Sequence, residues 1–202
     1  MRTSARTHAV AGLLAGALVL TGCGSGDDPT VAGGDDSSAT AGQTQFNDGD
    51  VAFVSGMVPH HEQAVEMADM ILRKDPSEPV RALAERIQAA QQPEIEELDA
   101  LLKTFGKESA SGGHGGHGGG SEAATHGGMM TDAQMQDLHD AMGVEAERTF
   151  LTMMIEHHRG AIEAAETVIA DGENRAVIDL ATRIRDDQRA EIAEMEQLLT
   201  SG

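Results

Sequence analysis

The sequence predicts an all-α protein of two repeated helical hairpins packed as a four-helix bundle, and three observations carry that reading. A segment beginning Phe53-Val-Ser-Gly-Met-Val-Pro-His-His returns as Phe150-Leu-Thr-Met-Met-Ile-Glu-His-His at an offset of 97 residues, and the match runs on without a gap to Leu102 and Leu199, so one supersecondary unit occurs twice. Apolar residues recur at helical period: Phe53, Met57, Ala64, Ala68 and Ile71 form one stripe, and Val80, Leu83, Ala84, Ile87, Leu98 and Leu101 another. Turn-forming residues separate the stripes, Asp75-Pro-Ser-Glu-Pro79 in the first copy and Asp171-Gly-Glu-Asn174 in the second. A lone hairpin cannot bury both stripes, so two hairpins packed together are the economical solution.

The elements follow in chain order. Arg2 and Arg6 precede an apolar run from Ala9 to Leu20, too short to span a bilayer but of the length of a signal-peptide core. It ends in Leu20-Thr21-Gly22-Cys23, which resembles the lipobox of bacterial lipoproteins. That resemblance implies removal of residues 1–22, acylation of Cys23, and anchoring on the extracytoplasmic face of the cell membrane. Cys23 is the only cysteine, so no disulfide forms within the chain. Residues 23–48 are rich in Gly, Ser, Thr and Asp and read as a flexible tether.

The folded domain is expected over residues 49–202, with the hairpins at about 50–103 and 144–200. A Gly/His-rich linker, about 106–130, joins them and is too glycine-rich to pack. Its His114, His117 and His126 read either as a weak metal-capture segment or as incidental residues of a spacer. Thr131-Asp132 forms an N-cap for a helical segment that reaches about Met142 and stops at Gly143. A crossover of this length leaves the relative direction of the hairpins open.

Composition narrows the function. The chain has 202 residues, a formal charge of -20, four Phe and no Tyr or Trp. It therefore lacks aromatic platforms for bases and repels phosphate, and nucleic acid is excluded as a partner. Against this stand 9 His and 11 Met. His60 and His61, about 100° apart on a helix, straddle the apolar stripe with Met57 one turn earlier, while Gln91 and Glu94 sit in the stripe of the partner helix. Pairing the helices about their turns places His60 opposite Glu94 and His157 opposite Glu191, with Gln188 nearby.

A carboxylate inside a bundle is costly unless it is paired or binds a cation. His60, His61, His157, His158, Glu94 and Glu191 are thus candidate metal ligands, joined by the thioethers of Met57 and Met154. The soft sulfur points to copper, particularly Cu(I), ahead of zinc. The same residues also admit a structural layer in which each His donates to its facing Glu. Met67, Met70, Met142 and Met153 read as packing residues.

The motif Phe53-x3-Met57-x2-His60-His61-x2-Ala64-x2-Met67-Ala68, with Gln91-x2-Glu94-Ile95 downstream, resembles the family known as domain of unknown function 305, over about residues 46–199. The resemblance implies a ferritin-like four-helix bundle, export or lipid anchoring, copper-binding relatives linked to copper resistance, and His60, His61, His157, His158, Met57 and Met154 as ligands. The copies differ where Ala164 stands for Met67 and Glu147 for Asp50. The Glu-x-x-His signature of di-iron bundles does not recur on the helices.

The expected function is that of an extracytoplasmic, lipid-anchored metal-binding protein that sequesters or hands on copper and catalyses no reaction. Its partners are then the metal ion and, through the lipid, the membrane. Two alternatives stand beside it: a non-catalytic envelope interaction module with a structural His/Glu core layer, and a metallo-oxidoreductase.

Overall fold

A computed structural model of the chain describes residues 45–107 and 127–201. The expected signal segment, Cys23, the expected tether up to residue 44 and His114, His117 and His126 lie outside the described residues. The described residues form five helices and no strand: α1 (Asp48–Leu72), α2 (Glu78–Thr104), α3 (Asp132–Asp140), α4 (Gly143–Asp171) and α5 (Arg175–Ser201). None of the described helices is long and apolar enough to cross a membrane.

Local chemistry sets the helix ends. The Asn47 side chain accepts from the Asp50 amide while the Asp50 carboxylate accepts from the Asn47 amide, a reciprocal capping box that starts α1. Gly106, at φ +66°, ends α2: its amide donates to the Lys103 carbonyl (3.1 Å) and that of Lys107 to the Leu102 carbonyl (2.9 Å), the left-handed cap that glycine favours. Thr131 and Gln134 form a second capping box at the start of α3. This helix ends at Asp140 rather than near Met142, because Ala141 is extended. Met142 becomes the N-cap of α4 and is 71% exposed, so it does not pack as the sequence led us to expect.

Helices α1 and α2 form one antiparallel hairpin, and α4 and α5 the other. Two apolar clusters fix how the hairpins meet. In one, Ala64, Met67 and Ile71 of α1 and Leu83 of α2 join Phe150 and Met154 near the start of α4. In the other, Phe53 and Met57 near the start of α1 and Leu98 of α2 join Ala165 of α4 and Leu180 of α5. The turn of each hairpin therefore lies beside the open end of the other, which settles the direction that the long crossover left undetermined. Helix α1 runs along α4 for more of its length than α2 does along α5.

A quasi-two-fold axis relates the hairpins, and cross-hairpin contacts occur in pairs. The buried Asp50 carboxylate accepts from the amides of Glu173 (3.0 Å) and Asn174 (3.1 Å) at the turn before α5. Its counterpart Glu147 accepts from the amide (2.8 Å) and hydroxyl (2.7 Å) of Ser77 at the turn before α2. Each hairpin thus caps a helix of the other, and the Asp/Glu difference between the copies preserves the task. On the opposite face Arg86 pairs with Glu194, and Arg183 with Glu97 (2.7 Å). These pairs are solvated and contribute little energy, but they repeat the same register.

Helix α3 breaks the symmetry. Leu138 is fully buried and packs, with Met130 and Met135, on the cluster containing Met67, Met70 and Phe150. Lys74 Nζ donates to the carbonyls of His139 (2.7 Å) and Ala141 (2.9 Å), closing the C-terminal end of α3. Gln63 clamps Met130, donating to its carbonyl (2.9 Å) and accepting from its amide (2.7 Å). The last residues of the glycine-rich linker therefore do pack, contrary to the expectation from composition.

Candidate metal centre

The four histidines of the repeated motif lie at mid-height on α1 and α4, and all are fully buried. His60 and His157 meet across the quasi-two-fold axis with ring centroids 3.7 Å apart and planes tilted by 40°. His61 lies 6.5 Å from His60, and His158 6.3 Å from His157. The imidazoles thus form a row, His61, His60, His157, His158.

The carboxylates meet the outer rings. Glu94 accepts from Nε2 of His61 (2.8 Å) and Glu191 from Nε2 of His158 (2.7 Å). The pairing of His60 with Glu94 and of His157 with Glu191 is corrected by one residue. Adjacent residues on a helix diverge by about 100°, so one imidazole of each pair faces the other hairpin while its neighbour faces its own partner helix. Counting from the turn does not resolve a step of one residue. Glu94 and Glu191 are each 15% exposed, so the row is buried in the middle and reaches solvent through its terminal carboxylates.

A carboxylate only accepts, so Nε2 of His61 and of His158 donates the proton in these bonds. Both Nδ1 atoms are buried without a hydrogen-bond partner. Both ring nitrogens of His157 are likewise buried and have no side-chain hydrogen-bond partner, the His60 backbone being the one group whose hydrogen bonding raises its pKa. Burial, and then the neighbouring His60, His158 and His61, hold His157 well below the ordinary histidine pKa, leaving it a neutral imidazole at neutral pH. Gln91 and Gln188 are 2% exposed, and neither end of either amide is hydrogen-bonded. Beside them the Asp187 carboxyl is pushed up by partial burial and then by the charges of Glu94 and Glu191, so three carboxylates share the α2/α5 edge.

Met57 and Met154 are fully buried but belong to separate apolar clusters, one on each side of the histidine row. Among the described residues no three His, Cys, Asp or Glu side chains converge into a ready-made metal cage. The six His and Glu candidates thus form one row, the two Met lie in the apolar clusters beside it, and the eight do not meet at one point.

Sequence reasoning missed the backbone that covers this layer. His60 Nε2 donates to the Gly127 carbonyl (3.3 Å). Gly128, at φ +86°, lies so close to α4 that a Cβ would stand 2.7 Å from the Glu156 carbonyl oxygen. A Cβ on Gly160 would stand 1.7 Å from the Gly127 carbonyl oxygen. The available signal was the copy difference at this position, Gly160 against Gln63, read with the Gly127-Gly128 pair.

Comparison with known proteins places this arrangement in a family. A crystal structure of a DUF305 fragment from Deinococcus radiodurans is 31% identical, covers 77% of this chain and 98% of its own, and superposes with a TM-score of 0.67. A DUF305 protein from Streptomyces coelicolor is 28% identical over 76% of this chain and 93% of its own, with a TM-score of 0.65. CopM in its Cu(I)-bound form is 26% identical over 75% of this chain and 96% of its own, with a TM-score of 0.61. No curated protein matches the chain. The family described as Domain of unknown function (DUF305) matches residues 50–199, and the chain belongs to it.

Proposed function

We propose that this chain is an extracytoplasmic, lipid-anchored metal-binding protein whose cargo is copper, bound without catalysis in the central layer of a ferritin-like four-helix bundle. The observation that carries the reading is His157, fully buried and held neutral, whose ring meets that of His60 across the axis and whose nitrogens have no side-chain hydrogen-bond partner. Such atoms cost free energy unless something satisfies them, and an imidazole that is already neutral binds a metal without first losing a proton. His60 and His157 are the central ligands, with His61 and His158 beside them. Glu94 and Glu191 orient the outer rings by holding Nε2, the usual arrangement around a metal-bound histidine. Met57 and Met154 add soft sulfur at the edges of the layer. Rings and thioethers must turn toward the ion, because no closed cage stands ready among the described residues. Likeness to CopM, solved with Cu(I), Cu(II) and silver, supports copper ahead of zinc. The lipobox at Cys23 supports the anchor.

The His61–Glu94 and His158–Glu191 bonds favour a second reading, a purely structural polar layer, and one experiment separates the two. Untagged protein is melted with Cu(I), Cu(II) or Zn. An ion at one hundred times its Kd adds about 2.7 kcal/mol, a rise of about 5–10 °C for a domain of this size. The rise is expected with copper and is expected to vanish in a His60→Ala/His157→Ala variant. No rise in the parent, or an equal rise in the variant, overturns the proposal.

A further inference from the structure

We propose that copper passes between solvent and the histidine row through the α2/α5 edge, where the carboxamides of Gln91 and Gln188 form a transit site behind an acidic mouth of Asp187, Glu94 and Glu191. The proposal rests on the copper reading above and adds the route. Gln91 and Gln188 are 2% exposed, yet neither the oxygen nor the nitrogen of either amide has a hydrogen-bond partner. Unpaired buried amides are costly. Leucine at these places would complete the apolar stripes that run through Ile87 and Leu98 and through Ile184 and Met195. The cross-hairpin pairs Arg86–Glu194 and Arg183–Glu97 fix the register: each glutamine lies five residues after the arginine and six before the glutamate of its own helix. Gln91 and Gln188 therefore stand at the quasi-two-fold axis between α2 and α5, as His60 and His157 do between α1 and α4.

The two sides of the bundle differ in access. On the α1/α4 side the backbone at Gly127-Gly128 lies against α4 and its Gly127 carbonyl holds His60, while Gln63 clamps Met130. Helices α2 and α5 meet over less of their length, and the ion pairs that span them are solvated. Asp187 is exposed and lies near enough to Glu94 and Glu191 to feel both charges. Those two carboxylates reach solvent and hold His61 and His158, so they join the mouth to the row. A carboxylate mouth concentrates cations, and among the described residues its acids form no closed cage that would retain them. An amide oxygen replaces water of hydration but competes poorly with imidazole for a soft ion. It therefore receives copper without keeping it, as a point of passage must.

The test uses the full chain loaded with Cu(I). Release into excess bathocuproine disulfonate gives the off-rate, equilibrium competition with the same chelator gives the Kd, and their ratio gives the on-rate. Gln91→Leu/Gln188→Leu should slow release about tenfold or more while the Kd stays within about threefold, because a route changes both rates alike. Release within about twofold of the parent overturns the proposal, and a lower urea midpoint with unchanged release would mark the amides as structural. Two surface variants test the mouth independently of the core. Asp187→Lys should lower the on-rate about fivefold or more, and Ala90→Asp, which places an acid at the exposed quasi-two-fold mate of Asp187, should raise it. An on-rate indifferent to both overturns the proposal, as does faster release from Gly160→Ala, which would put the route on the α1/α4 side. A parent that binds no Cu(I) defeats the copper reading together with the route; binding whose rates ignore these variants defeats the route alone.

Discussion

Replacing Asp50 by Ala tests whether the two hairpins are locked by buried capping or merely by apolar contact. One carboxylate oxygen, Oδ2, accepts from the amides of Asn47 (2.9 Å), Glu173 (3.0 Å) and Asn174 (3.1 Å), so a single truncation strands three donors. Asp50 is fully buried and Asn174 is 1% exposed, hence water does not replace the lost acceptor at the second turn. A stranded buried amide costs about 1–3 kcal/mol and loss of the α1 capping box about 1 kcal/mol; together the expected loss is about 3–5 kcal/mol. The quasi-equivalent Glu147→Ala removes two exposed bonds to Ser77, which water restores, and should cost less than about 1 kcal/mol. Urea unfolding of both variants and the parent, at one protein concentration and with the slope checked for constancy, reads the difference directly. Asp50→Asn, which keeps one acceptor, should fall between them. If Asp50→Ala and Glu147→Ala lie within about 1 kcal/mol of each other, the buried latch is not what joins the hairpins.

Three further outcomes follow from the central layer. The folded-state pKa of His157 is depressed from the ordinary 6.5, so the unfolded chain takes up a proton that the buried ring refuses. Its contribution to stability is complete above that value and declines as pH falls below it; a urea midpoint unchanged from pH 7.5 to 5, or one falling just as steeply in His157→Phe, contradicts this. Gly160→Ala puts a Cβ 1.7 Å from the Gly127 carbonyl oxygen, which must dislodge residues 127–130 from α4 at a cost of about 2–4 kcal/mol; faster hydrogen exchange at the Met130 amide, which Gln63 now holds, is the signature to look for. Glu94→Gln/Glu191→Gln should lower Cu(I) affinity about 10–100-fold in competition with a chelator, and an unchanged affinity would show that the carboxylates do not orient the rings.

Much of this architecture was legible because it follows from period and punctuation. The stripes through Phe53, Met57 and Ala64 and through Leu83, Ile87 and Leu98 announce helices, and Asp75-Pro-Ser77 marks the turn between them, with Glu78 and Pro79 opening α2. The offset repeat identified the histidine pairs as one feature occurring twice. Three things were not legible. The exact partner of Glu94 lay below the resolution of counting residues from a turn, and only the packed hairpins separate His61 from His60. The direction of the second hairpin required the apolar clusters, since a long linker permits either. The backbone crossing at Gly127-Gly128 was hidden by the usual equation of glycine with solvent, whereas here the missing side chains are what admit the chain to the α4 surface.

The axis between His60 and His157 has an informational consequence. A residue lying on a two-fold axis meets its own copy, so one histidine in a single hairpin is enough to write a two-histidine contact when that hairpin pairs with itself. Carrying both copies in one chain makes the contact independent of protein concentration. It also frees positions off the axis to diverge: one half keeps methionine at 67 and shelters beneath its own helix, while the other takes alanine at 164 and has no such helix among the described residues. What is shared stays at the centre, and what is particular to this protein is written at its flanks.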